Sequence, residues 1–570
     1  MEGADPLAVL RLGADSYAPL VGADGELRDP VFGEPTQYGT PYHAFCRAVL
    51  AAHRPAAGDL PAAVAGLSAA LAHVADRGQA PRASSFQRAV GTTGAGNHRD
   101  FFWPPILRGY GLLCGLDPGA ARGLQERIAA VDPEAAFAAR PPSNWAAVWL
   151  SGEWLRMRAG LARTSPERFD RWLGAFFEGR ILLEQGLYQE PGHPNSYDLF
   201  TRLHLADLLA DGYAGAWRPQ LERLMETGLE RSLAVQLSDG GLAAAHRSSG
   251  QSWNDGAQCC YFQLAARHFR ERDPARAAIA QRAAGRALRS LQRWQRPGAP
   301  FSPVYNCLPP DWRVGYEPYT ADAHYGSLAL AFLAAAVLRG LGPAPADGEE
   351  QAPQASVEGE PTWRAVARAG RYAVQVNGLP APHYDGFGLT EVTFGPGRRF
   401  HFGPSARQLG EEGLLNLGLA VRAAPGRSAL RVLAREPWQV CALEAPAEPG
   451  SLRLLARGRG DPCRYALAVR AAPDGVAVEE RLVGHPGWAT LLVPYLLDGG
   501  TGCRTVVEIG AQRVRFQYGE ECIRLEWEGE CEAVLQLTHG YESRRGLCGL
   551  LRLDLGQPAD GVRYRLAVES

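Results

Sequence analysis

The sequence predicts a multidomain α and β protein, an incomplete (α/α)5-6 toroid followed by an antiparallel β-sandwich. Three observations predict it. Six helix-like segments open on a packed set of aromatic and polar side chains: Tyr42-His43, Asn97-His98-Arg99-Asp100, Ser143-Asn144-Trp145, Asn195-Ser196-Tyr197-Asp198, Trp253-Asn254-Asp255 and Asp322-Ala323-His324-Tyr325. Consecutive clusters lie 47 to 69 residues apart, room for two helices and their loops, so they mark a repeat of supersecondary units. A stretch rich in Pro, Gly and acid follows, and beyond it the apolar pattern changes from helical spacing to alternation. The predicted organisation is a toroid over 1–340, a linker over 341–361 and a sandwich over 362–570.

The elements follow in order. Residues 41–53, 60–76, 100–115, 118–131, 144–161, 167–184, 197–211, 216–235, 254–271, 274–295 and 323–340 are rich in Ala, Leu and Arg at three- and four-residue spacing. Gly and Pro punctuate them, as in Leu116-Asp117-Pro118-Gly119 and Arg296-Pro297-Gly298. They pair as hairpins, five inner and outer pairs plus a sixth inner helix. A closed ring suits that count better than an open superhelix, given the irregular spacing and long loops. In a ring of alternating helices all six clusters share one rim, and their side chains gather round one opening that suits a sugar chain. After the linker, short runs such as those from Tyr372, Tyr465, Val514 and Tyr564 alternate apolar and polar residues between turn signals, which predicts two packed antiparallel sheets.

A chain of 570 residues exceeds one ordinary core and predicts two or three domains. Its 46% hydrophobic and 21% charged residues are those of a globular protein, and a net charge of -2 argues for no nucleic-acid or membrane partner. All 59 basic residues are arginines, so lysine Schiff-base and lysine general-base chemistry are excluded, while planar forks for carboxylates are plentiful. Eleven scattered cysteines without a CxxC pair predict free thiols in a reducing compartment. The first residues lack a basic and an apolar leader region, and no apolar run reaches membrane length, so a cytoplasmic protein is expected. Oligomeric state is left open.

Two loops concentrate chemistry. From Gln236 to Asp255 a helix ends at Asp239-Gly240-Gly241, a polar loop carries His246, Arg247 and Ser248, and a helix restarts with Ser252 as expected N-cap. With nothing apolar to anchor it, that loop must be held by hydrogen bonds or by a ligand. From Gly186 to His204 the chain holds Tyr188, Glu190, His193, Asn195, Tyr197, Asp198, Arg202 and His204. Tyr197 opens a helix, and a phenol facing a cleft can exchange a proton when arginines lie near it. His204 reads equally as a core histidine. Trp103, Trp145, Trp149, Trp154, Tyr316, Tyr319 and Tyr325 offer flat faces for sugars or simply core.

At Ser143-Asn144-Trp145, at Pro194-Asn195-Ser196-Tyr197-Asp198, and at Asp239-Gly240-Gly241 followed by His246, the sequence resembles the heparinase II/III-like polysaccharide lyases. That resemblance implies a toroid-plus-sandwich enzyme that cleaves a uronic-acid-containing chain by β-elimination. It implies Asn144 on the substrate carboxylate with Arg247 or Arg99 assisting, His246 as base or charge neutraliser, and Tyr197 or Tyr325 as the acid–base phenol. Asn97, His98, Arg99, Trp145, Asn195, Asp198, Trp253, Asn254, Asp255 and His324 would then bind substrate. The segment after Asp239-Gly240-Gly241, Leu-Ala-Ala-Ala-His246-Arg-Ser-Ser-Gly, departs from the aromatic-rich pattern of that family.

Two other readings stay open. A glycoside hydrolase on the same toroid would pair carboxylates among Asp100, Asp198, Asp255 and Asp322, each also a natural helix-start residue. A non-catalytic carbohydrate-binding protein would use the aromatic rim alone. No cofactor is expected; His383, Asp385 and His401 form a weak zinc set in the β-domain, or else line the cleft where the domains meet. The expected partner is an acidic oligo- or polysaccharide.

Overall fold

The computed structural model describes residues 3–75, 98–317, 319–344, 352–379, 384–395, 401–402, 407–408, 416–422, 430–460, 462–484, 488–536, 541–555 and 561–569. Thirteen α-helices are described: α1 Pro6–Tyr17, α2 Gly39–His53, α3 Asp59–Ala75, α4 Trp103–Leu116, α5 Pro118–Ala130, α6 Pro133–Ala136, α7 Asn144–Arg158, α8 Pro166–Gly179, α9 Asn195–Ala210, α10 Arg218–Ala234, α11 Trp253–Phe269, α12 Pro274–Gln292 and α13 Ser327–Leu338. Helix starts are written into the sequence. Asp117, Ser165 and Asp273 each precede a proline and accept a backbone N–H of the first turn, which satisfies a donor the helix leaves unpaired.

Helices α2, α4, α7, α9, α11 and α13 pack each on the next, and α13 returns to α2, so the inner ring closes. Their sequences explain their place. In α13, Ser-Leu-Ala-Leu-Ala-Phe-Leu-Ala-Ala-Ala-Val-Leu, apolar residues run all round the helix, and a helix apolar on every face must be enclosed. Helices α3, α5, α10 and α12 lean on α2, α4, α9 and α11 from outside, and α8 packs Trp172 and Phe169 on Trp149 and Trp154 of α7. The sixth outer helix is α1, which the helical spacing of the sequence left unassigned. It packs on both α2 and α13 and completes the sixth pair from the start of the chain.

The bore of the ring is filled. Phe200 stands between Phe101, Trp253 and Phe332 at ring separations of 5.7 to 6.0 Å. At the far end Arg108 and Arg339 pair with Asp207 and Asp211 at 2.8 to 3.1 Å. Among the described residues these pairs close the far end, so the toroid forms a bowl with its rim where the inner helices begin.

The β-domain is two antiparallel sheets. Arg464–Ala472 of the eight-stranded sheet alternates buried and exposed residues, as a sheet with one wet face should. In the larger sheet, Arg364–Ala369 and Tyr372–Asn377 are buried on both faces. Ala365, Ala367, Val374 and Val376 enter the sandwich core, whereas Val366 and Ala373 enter the toroid core. Strand alternation thus makes this sheet a middle layer shared by both domains. The sheet's first strand, Gln354–Glu358, lies inside the segment expected to be a linker, and its Glu358 pairs with Arg231 of α10. Among the described residues, no helix is long and apolar enough to cross a membrane.

Two glycines test the packing. A Cβ on Gly256 of α11 would lie 2.3 Å from the carbonyl oxygen of Ala329 on the neighbouring inner helix, while one on Gly123 of the outer helix α5 meets nothing. Helix propensity favours alanine at both sites by about 1 kcal/mol. Gly123→Ala should raise the thermal unfolding midpoint, and Gly256→Ala should lower it, because backbone contact opposes with about 1–3 kcal/mol.

Candidate active site

The loop after Asp239-Gly240-Gly241 carries two non-glycine residues with left-handed backbone, His246 at φ 64° and Ser248 at φ 63°. Such conformations cost about 1–3 kcal/mol each and persist only where surroundings impose them. Here carboxylates impose them. The N–H of His246 donates to Asp385 of the β-domain, and that of Ser248 donates to Glu317 at 2.8 Å. Ser196 and Asn254 each donate to the Ser248 carbonyl, at 3.0 and 2.7 Å. Asn195 holds the approach to the loop by donating to the Ala243 carbonyl at 3.0 Å. The loop is thus held by hydrogen bonds, and the two left-handed residues turn the side chains of His246 and Arg247 outward, where both are half-exposed.

Around that loop the groups converge. The Arg247 guanidinium lies 4.6 Å over the Tyr197 ring and 3.8 Å from Glu190. Tyr197 and Tyr319 place their hydroxyls 3.2 and 3.0 Å from the Ser248 hydroxyl. His246 stacks on Tyr384 of the β-domain at 5.1 Å, and Arg544 covers that tyrosine at 5.5 Å. Gly192, at φ 77°, lies so close to the imidazole that a Cβ there would come within 2.3 Å of Nε2. Asn144 joins through its backbone N–H, which the Tyr188 hydroxyl accepts, while that hydroxyl donates to the Pro142 carbonyl at 3.0 Å and lies 3.3 Å from Glu190.

Charge states follow from this setting. Burial pushes the His246 imidazole down to about 4, aided by the positive Arg364, Arg247 and Arg544, so it is neutral at pH 7. Burial raises the Tyr197 phenol above its usual range despite Arg247, so it keeps its proton. Burial likewise raises the Glu190 carboxyl, with Arg247 opposing. A neutral base, a protonated acid and a fixed cation therefore share one surface.

The rim continues as an aromatic arc. Trp145 lies 4.6 Å from His98, His98 is 6.1 Å from Tyr38, and Tyr38 reaches His324 and Tyr325 at 5.2 and 6.1 Å. Tyr325 stacks on Trp253, 6.2 Å from Tyr197. Of these, Trp145 is half-exposed, whereas Trp253 is 1% exposed and serves as wall. His324, opening the wide turn Asp322–Gly326 before α13, is turned to the Tyr319 carbonyl at 3.1 Å. Arg99 is buried in the turn Arg99–Phe101, and Asn97 lies outside the described residues.

Several side chains expected at the opening are instead turned into the protein. Asp198 pairs with Arg202 and Arg231 at 2.8 and 2.9 Å and accepts the Tyr188 N–H. Asp255, 0% exposed, accepts from Tyr305, Ser290 and Trp294, and burial raises its carboxyl to about 7. Asp100 accepts the Ala139 N–H, and Asp322 accepts from Tyr316 and pairs with Arg296. The amides of Asn195 and Asn254 are spent on backbone carbonyls. Ser252 lacks a capping bond and donates to the Ser302 carbonyl at 2.6 Å. Of the zinc set, His383 and the His401 side chain lie outside the described residues, and Asp385 braces the loop. No group of three or more His, Cys, Asp or Glu is arranged to hold a metal among the described residues.

The sequence reading missed Glu317 and Arg544 as members of this site and did not assign Ser248 or Tyr384 a role. Tyr384 neighbours Asp385 in the set assigned either to zinc or to the domain junction. Glu317 sits in Tyr316-Glu-Pro-Tyr319, where only the tyrosines drew notice.

No protein-family model matches the chain, and no curated protein matches its sequence. Solved structures do match. A tyrosine-to-alanine variant of the chondroitin AC lyase of Streptomyces coelicolor A3 is 13% identical with a TM-score of 0.52, over 99% of this chain and 78% of that one. The likeness is one of fold. Heparan sulfate lyase HepC from Pedobacter heparinus is 12% identical with a TM-score of 0.34, over 90% and 89% of the two chains. The GH76A α-1,6-mannanase of Salegentibacter sp. HEL1_6 is 12% identical with a TM-score of 0.37, over 59% of this chain and all of its own. The architecture, an α/α toroid joined to a β domain, is shared with that chondroitin AC lyase.

Among the histidine NMR resonances that stay neutral down to about pH 4, one should be lost in His246→Gln. Titration of that resonance near the unperturbed value of about 6.5 would contradict the burial described.

Proposed function

We propose that this chain is a carbohydrate-active enzyme that cleaves a uronic-acid-containing oligo- or polysaccharide by β-elimination. The observation that carries this reading is the half-exposed set His246, Arg247 and Tyr197, with neutral imidazole, fixed guanidinium and protonated phenol on one surface. The fold shared with a chondroitin AC lyase adds an argument from analogy only.

The chemistry needs those three roles. The C5 proton of a uronate becomes acidic when its carboxylate is neutralised, here by Arg247 and by the amide of Asn144 on the same rim. The imidazole of His246 takes the C5 proton, and the electron pair left at C5 forms the C4–C5 double bond. The C4–O4 bond breaks, and its electron pair leaves on O4, which takes the proton of Tyr197. The products are a new reducing end or aglycone and a 4,5-unsaturated uronate. Afterwards His246 returns its proton to solvent, and Tyr197 regains one. Trp145, half-exposed, offers a face for a sugar ring.

Hydrolysis would need two carboxylates facing one another across the cleft. The four helix-start aspartates do not supply them, because each is spent on arginines, hydroxyls, an indole or a backbone N–H.

Incubation with chondroitin- or heparan-type chains should raise ultraviolet absorbance from a 4,5-unsaturated product. Tyr197→Phe and His246→Ala should each lower kcat by about 10²–10⁴-fold with the fold retained by circular dichroism. Arg247→Lys should chiefly raise KM, since a point charge replaces a planar fork. New reducing ends without the absorbance would establish hydrolysis instead, and retention of full activity in Tyr197→Phe would displace the site.

A further inference from the structure

Glu317 belongs to the loop between α12 and α13, and its side chain is 6% exposed. A carboxylate buried to that degree is held only by several donors. It accepts from the Ser248 N–H at 2.8 Å, the Ser248 hydroxyl at 3.2 Å, Gln251 at 2.8 Å and Arg544 of the β-domain at 3.3 Å. Two of these bonds go to Ser248, whose hydroxyl touches the phenols of Tyr197 and Tyr319.

We propose that Glu317 is the positioning residue for the acid–base phenol, acting through Ser248 on Tyr197 and Tyr319 and itself fixed by Arg544. The proposal rests on the reading of Tyr197 as the acid. A serine hydroxyl has one donor and two acceptor sites. With its proton given to Glu317, Ser248 accepts from Tyr197, while Tyr319 is hydrogen-bonded to Glu317 directly as well as to Ser248, so the two phenols are aimed at one point. When Tyr197 turns its O–H towards O4 of a bound sugar, Tyr319 keeps Ser248 satisfied. The cost of reorienting the acid is one hydrogen bond, and no buried oxygen is orphaned.

The charge of Glu317 acts in the same direction. It opposes ionisation of Tyr197, Tyr319, Tyr325 and Tyr384, and of Asp385, while Arg247 and Arg544 favour it. Burial is the main cause that keeps the Tyr197 phenol protonated and Glu317 adds to it, so Glu317 sets the aim and reinforces the protonation, and Arg544 makes the β-domain part of the device.

Glu317→Gln tests this, because it keeps the shape and removes the charge. The kcat for elimination should fall about 10- to 100-fold, as expected for a misaimed catalytic group, with KM changed less than about twofold. The alkaline limb of kcat should move to lower pH, and an ultraviolet tyrosinate titration of the unliganded protein should move the same way. Wild-type kcat and limb in Glu317→Gln would overturn the proposal. So would a loss of kcat with an unmoved limb and an unmoved tyrosinate titration, the mark of a merely structural acid. Ser248→Ala removes the bridge and keeps the charge; it should lose kcat to a similar extent, and adding Glu317→Gln should cost little more. Full additivity of the two would refute action through Ser248. If the wild type forms no unsaturated product from any uronate, the assigned reaction fails, while the tyrosinate titration still decides the role of Glu317.

Discussion

Two backbone N–H groups bonded to two carboxylates determine how this protein presents its chemistry. Asp385 on His246 and Glu317 on Ser248 hold a loop in left-handed conformations that neither residue adopts freely. Between them Arg247 is carried outward, towards Tyr197 and Glu190. One of the two carboxylates comes from the β-domain and the other is clamped by it through Arg544. His246, Arg247 and Tyr197 all belong to the toroid; how they are held depends on the second domain.

The same logic explains why the domains meet through a sheet buried on both faces. A sheet that served only the sandwich would carry polar residues on its outer side. Here that side carries Val366 and Ala373 for toroid packing and Arg364 and Arg368 for toroid carbonyls. Arg545 adds contacts to Glu391 at 2.5 Å and to Asp239 at 3.6 Å, and so ties the end of one helical repeat to the sheet. The junction is polar: Arg545 is paired with acids, while Arg364 and Arg368 are held by toroid carbonyls.

Much of the fold was legible because its signals are local. The apolar spacing of α11 and α13, the Asp-Pro starts of α5 and α12 and the alternation of Arg464–Ala472 each report on their own segment. The site was legible in part. His246, Arg247 and Tyr197 stood out as polar groups in a loop and at a helix start. Asp198 and Asp255 looked the same in sequence, but which way a helix-start side chain turns depends on partners far along the chain. Arg231 is 33 residues from Asp198, and Tyr305 is 50 from Asp255. Glu317 and Arg544 are separated by 227 residues and could not be joined by any local pattern.

The first helix has a particular consequence for how the molecule is made. Helix α1 lies against α13, with Gly13 pressed on Leu330 and the Tyr17 hydroxyl donating to the carbonyls of Phe301 and Asp322. These partners are encoded some 300 residues later, so α1 cannot find its full seat until α13 has been made. Ring closure therefore cannot precede the synthesis of α13. Until then an apolar face of the nascent chain stays open to solvent, and to chaperones that recognise such faces.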